Sequence, residues 1–162
     1  MRIWLIGTGL AGLVAFALAA LGHGADTVAA PAFDAAAVVK HRQSVMKGHA
    51  ADLKAVKAYL EGTASQAVAE EKATALARSI RNELPKLFPA GSGAVEVPAS
   101  HAKPNIWSEP KRFATALRTA ADDADALAAA VKTGDKQRTA TAFGAMGAGC
   151  GGCHRDFKAR AD

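Results

Sequence analysis

Cys150-Gly151-Gly152-Cys153-His154, near the end of a 162-residue chain, is the stretch on which every other segment is read. It has the form C-x-x-C-H, the attachment signal for a c-type haem. Two thiols must reach the two vinyl groups on one porphyrin edge and form thioethers. The next residue must bring an imidazole nitrogen to the iron. On a helix, Cys150, Cys153 and His154 stand at i, i+3 and i+4 and share one face. Gly151 and Gly152 put no side chain between the thiols. The expectation is one covalent haem c per chain, held through Cys150 and Cys153, with His154 as proximal iron ligand. The rivals fail on count and context. A structural zinc site needs four ligands, and the chain has two cysteines. No βαβ pattern supports a thioredoxin-like pair. A disulfide across three residues closes too small a loop to stabilise much.

Working outward from the motif, the pattern is helical throughout, with abundant alanine and few β-branched runs. The helix that carries the motif is predicted from about Asp135 to Ala159. Its apolar stripe is Phe143, Met146, Cys150, Cys153/His154 and Phe157. Before it, a helix from about Ser108 or Glu109 to Lys132 repeats Phe113, Leu117, Ala120, Ala124, Leu127 and Val131. Asp122, Asp123 and Asp125 read as its solvated face, not as a metal site. Residues 85–110 form a long proline-bearing connection, with Trp107 read as a plug of the core. A helix from about Ser65 to Leu84 is opened by a Thr63/Gln66 capping box and ended by Pro85. The first helix runs from about Asp34 to Glu61, and its stripe is Val39, Arg42, Met46, His49, Leu53, Val56 and Leu60. Two short joins and one long one predict an all-α fold. It is an antiparallel, left-handed four-helix bundle with a long loop between its second and third helices.

Met1-Arg2 and the apolar run from Ile3 to about Leu21 read as a secretory signal over residues 1–25, with residues 26–162 as the haem-binding bundle. An uncleaved N-terminal anchor is the alternative, and only then would the chain contact a membrane. The expected location is the periplasm. The net charge of +5 is spread along the chain. No basic block is long enough for nucleic acid, so the charge suits solubility or an acidic redox partner.

The chain resembles the class II c-type cytochromes, the cytochrome c prime family, itself a standard example of the four-helix bundle. The haem motif lies near the C-terminus and is followed by Phe157 and Lys158. Arg42-Gln43-Ser44-Val45-Met46 is similar to the family's R-Q-x-x-[L/M] stretch, and Pro104-Asn105-Ile106-Trp107-Ser108 to its P-x-I-W segment. The likeness covers nearly all of residues 34–160. It implies that the residue four after the arginine sets the iron's sixth position. Methionine there, Met46, points to a low-spin Met/His iron like that of cytochrome c-556. Such iron has a raised potential and no open site.

Met46 as core filler and His49 as the sixth ligand are the alternatives. His41 and His101 fall off the stripes and read as solvated, and Lys158 as a neighbour of the proximal imidazole. Arg42 is expected to bind a haem propionate. The function implied is periplasmic electron transfer without a catalytic step, with an unidentified redox partner and a second copy of the chain as candidate partners. The alternative is a five-coordinate protein that binds nitric oxide or carbon monoxide.

Overall fold

The computed structural model describes residues 33–160. The expected signal segment, residues 1–25, lies outside them. The elements are α1 (Ala35–Leu60), α2 (Gln66–Asn82), a 3-10 turn (Leu84–Leu87), a short α3 (Asn105–Ser108), α4 (Pro110–Lys132) and α5 (Lys136–Phe157). Among the described residues there is no strand. Nor is any described helix long and apolar enough to cross a membrane.

Each boundary has a local cause. Asp34 accepts from the Ala37 N–H at 2.9 Å and caps α1. Asp135 does the same for α5, accepting from Gln137 and Arg138. The α4–α5 join turns at Gly134, whose φ of +71° excludes most side chains. Two expected helix starts are different. Ser65 caps α2 by accepting from Val68 N–H, while Gln66 reaches across to the Val131 and Lys132 carbonyls at the end of α4. Ser108 ends α3, and α4 follows from Glu109 with Pro110 in its first turn.

The main core joins α2 to α4. Ala69, Ala73 and Ala77 are buried together with Ala120, Ala121, Ala124 and Ala128, and such small side chains let two helices approach closely. Leu76 and Leu127 are fully buried in the same cluster, each worth about 1.5–3 kcal/mol. α4 packs equally firmly on α5, and α1 on α2, but α1 and α5 barely meet. Exposed ion pairs add orientation more than stability. Asp122 and Asp125 sit on the solvent side as expected, where both receive Arg81 of α2.

The long connection folds onto the end of the bundle. Trp107 donates from Nε1 to the Phe88 carbonyl at 3.1 Å and packs with Ile106, Phe113 and Phe157 in a second apolar cluster. The plug reading of this residue fits that placement. A methyl group on Gly93 would stand 2.8 Å from Trp107 Cζ3. Gly93→Ala is therefore expected to cost about 1–3 kcal/mol through overpacking. A thermal melt checks this; an unchanged midpoint would mean the indole yields freely.

Candidate cofactor pocket

The sparse contact between α1 and α5 leaves a cavity of about 520 Å³. One wall is α5, with Cys153, His154 and Phe157; the other is α1, with Arg42, Met46 and Ala50. Phe88 and Phe113 close the end. The Phe88 and Phe113 rings meet edge to face at 4.8 Å, and Phe113 and Phe157 at 5.1 Å. Such pairs hold flat apolar surfaces in fixed orientations.

The helix that carries the motif is fixed at its C-terminal end. The last carbonyls of a helix have no partner within it. Here Lys103 Nζ donates to the Arg155 carbonyl at 2.9 Å and to that of Asp156 at 3.3 Å. Asn105 Nδ2 also donates to Asp156, at 3.2 Å. The Lys103 backbone N–H donates to Phe157 at 3.0 Å. Residues 101–103 thus lie antiparallel to residues 157–159, bridged at Ala102 and Lys158. The turn that carries His154 is held by the loop.

Cys153 and His154 line the cavity. Cys150, one turn earlier, packs against the main core. Burial pushes the Cys153 thiol up to about 11, with Cys150 and Asp156 adding to the shift. Cys150 is raised too, by burial first and then by Asp123. Burial, and then the Lys158 ammonium, hold the His154 imidazole below its usual range. It is therefore neutral at pH 7, with a lone pair available. Two thiols, a neutral imidazole and aromatic walls suit a covalently held porphyrin with iron at its centre.

Met46 lies on the opposite wall of the same cavity, half-buried. The structure brings it and His154 into one site. His49 is excluded from that site. It lines a separate cavity between α1 and α2, with its Nε2 2.9 Å from Ser79 Oγ. That placement speaks against His49 as the sixth ligand. His41 is exposed and 3.1 Å from Glu83.

Arg42 lines the cavity, and its guanidinium has partners within the protein. All four terminal N–H groups are already used. Nη1 donates to the Leu87 carbonyl at 2.8 Å and to Ser92 Oγ at 3.0 Å. Nη2 donates to the Ser92 carbonyl and to Ser100 Oγ, each at 2.9 Å. The guanidinium also lies 4.8 Å from the Phe88 ring. A charge on an inward stripe needs partners, and the folded-back loop supplies them before any propionate does. Only the Nε–H remains.

His101 is the residue that sequence reasoning missed. It is half-buried and lines the cavity, held by its carbonyl, which accepts from Ala159 N–H at 2.8 Å. It belongs to no periodic stripe. Only the pairing of residues 101–103 with 157–159 places it there, and nothing local in the sequence announces that pairing.

Comparison with known proteins agrees with this geometry. The family model described as Cytochrome C' matches residues 37–158. Cytochrome c' of Rhodospirillum rubrum is 36% identical over 148 residues, which cover 91% of this chain and 97% of that protein. Cytochrome c-556 of Agrobacterium fabrum is 32% identical over 125 residues, 76% of this chain and 82% of that one. Among solved structures, a ferrous variant of cytochrome c prime from Alcaligenes xylosoxidans with bound NO superposes with a TM-score of 0.70. It is 26% identical, and the match covers 78% of this chain and 97% of that one.

Proposed function

This chain belongs to the cytochrome c' family, with one covalently attached haem c, and from that premise we propose that it binds small neutral gases at a five-coordinate haem in the periplasm. The haem, when bound, supplies an iron that changes between ferric and ferrous and can accept one diatomic ligand. The protein supplies the rest. Cys150 and Cys153 hold the group covalently. His154 presents a neutral imidazole to one face. Phe88, Phe113 and Phe157 keep water from the apolar end. Met46 screens the opposite face.

The observation that carries this reading is the wall on which Met46 sits. It is apolar at Met46 and Ala50, with Arg42, Gln43 and Lys47 beside them, and no described acid or histidine of α1 lines it. The apolar patch at Met46 and Ala50 admits a small neutral ligand such as nitric oxide or carbon monoxide. The likeness to cytochromes c', one of them solved with NO bound, supports it.

A second reading is carried by the placement of Met46 on the cavity that His154 lines. A thioether sulfur on the iron would fill its sixth position, raise its potential and make the protein an electron carrier. The spectrum of the reduced holoprotein separates the two. On the gas-binding reading the reduced form is high-spin, and added carbon monoxide converts it promptly. Sharp low-spin bands that resist carbon monoxide would hand the function to electron transfer. Met46→Ala is expected to leave the unliganded spectrum unchanged and to speed carbon monoxide binding on the order of tenfold, equivalent to about 1.4 kcal/mol. A low-spin to high-spin change in that variant would show that the sulfur had been a ligand.

A further inference from the structure

A second cavity, of about 680 Å³, lies between α1 and α2, and the haem site uses none of its titratable groups. Its deepest polar residue is His49, which is buried. From there a continuous chain of hydrogen bonds runs to the surface. His49 Nε2 is 2.9 Å from Ser79 Oγ. Ser79 Oγ donates to Glu83 Oε2 at 2.9 Å. Glu83 Oε1 is 3.1 Å from Nε2 of the exposed His41.

A hydroxyl has one proton to give. Because Ser79 gives its proton to Glu83, His49 is the donor to Ser79. An imidazolium makes the same arrangement, passing from N–H to hydroxyl to carboxylate. The cavity is therefore built to accept a charged His49, although the side chain is withdrawn from water. Burial holds the His49 pKa below its usual value, and prevails over Asp52 on α1 and Glu83 just beyond α2, which favour the charged ring. Arg78 and Lys86 are the cations on the cavity wall, and α5 contributes no residue to it.

His49 and Met46 are three residues apart on α1, one on each cavity. Residues three apart stand on adjoining faces of a helix, with Cβ atoms roughly 5–6 Å apart. At about 10 Å from the iron, and with an effective dielectric near 20, a charge on His49 is worth roughly tenfold in an equilibrium. We propose that when a one-electron donor protein reduces the haem, His49 takes up a proton from solvent, its charged form being stabilised by the chain through Ser79 to Glu83.

Atoms and electrons balance. The electron lowers ferric iron to ferrous. The proton leaves water and binds Nδ1, the ring nitrogen that carries none while Nε2–H donates to Ser79. With a tenfold coupling the uptake is at most about half a proton per electron, so the added negative charge is offset in part. The inference rests on an attached haem c and is independent of what occupies the iron's sixth position. Failure of the gas-binding reading would leave it standing.

The test is a redox titration of the holoprotein between about pH 5 and 8, the range in which imidazoles titrate. The potential is expected to fall as pH rises, by roughly the equivalent of a tenfold change, ~59 mV for one electron. His49→Gln keeps a hydrogen-bonding side chain and should remove that fall while leaving the visible spectrum unchanged. Glu83→Gln removes a favourable charge and should move the fall to lower pH. If the His49→Gln curve overlies the wild-type curve, the inference is wrong and another group carries the pH dependence. Should that variant not fold, proton NMR of His49 in the wild-type protein decides. Its pKa is expected to be about one unit higher in the ferrous than in the ferric form, and equal values would overturn the proposal.

Discussion

Arg42→Ala is expected to lower the stability of the holoprotein by about 3–5 kcal/mol, among the larger effects for a single substitution. The reason is the number of groups that depend on one guanidinium. Ser92 and Ser100 are buried, and Arg42 donates to the carbonyls of Leu87 and Ser92. Hydrogen bonds to a charged group contribute about 1.5–3 kcal/mol each, and orphaned buried partners cost about 1–3. Relief of the buried charge offsets part of the sum, since burial already pushes the Arg42 pKa down. Ser92 Oγ would keep its bond to the Pro89 carbonyl, and Ser100 Oγ its bond to Ser92, so the loop should loosen without losing its path. Urea unfolding followed by helix circular dichroism measures the loss. Limited proteolysis should find new cleavage between residues 88 and 100. A wild-type midpoint with an intact loop would show that the serines hold it unaided.

Removing both thiols should have the largest effect on the cofactor. In a Cys150→Ala/Cys153→Ala double variant all haem is expected to extract into acidified organic solvent, where the wild type retains it. The single variants separate the two attachments. Cys153 lines the cavity directly, so Cys153→Ala should weaken retention on a denaturing gel stained for haem. Cys150 packs against the core beside Gly149, where an added methyl would stand 2.5 Å from Asp123 Oδ2. Its loss should cost some packing as well as one thioether. Full retention in the double variant would refute covalent attachment at these positions.

The helices were readable because a core imposes periodicity on each segment separately. Val39, Val56, Leu76, Ala124, Leu127 and Met146 fall on the predicted stripes and are buried. The C-x-x-C-H motif was readable because its chemistry is local to one turn. Arg42 was legible as an anomaly, a charge on an inward stripe, but not in its partners. Those lie 45 to 58 residues away, in a loop without periodicity. His49 raised the same question, and its answer came from Ser79, 30 residues away. Gln66 shows the same limit in a smaller feature. Its spacing from Thr63 suits a capping box, yet a carbonyl end presented by another helix takes the side chain. Side chains that serve distant backbone leave no pattern in sequence.

The bonds from Lys103 and Asn105 to the end of α5 join positions 51 to 53 residues apart. A ribosome delivers the loop long before it delivers the carbonyls that secure it. Until the final turn emerges, the segment around Lys103 has no latch to close on, and the wall it later forms stays open. A chain cut back before Arg155 would keep every ligand of the C-x-x-C-H motif and still lose the strap that holds them in place. Such a shortened protein should accept its prosthetic group and release the loop.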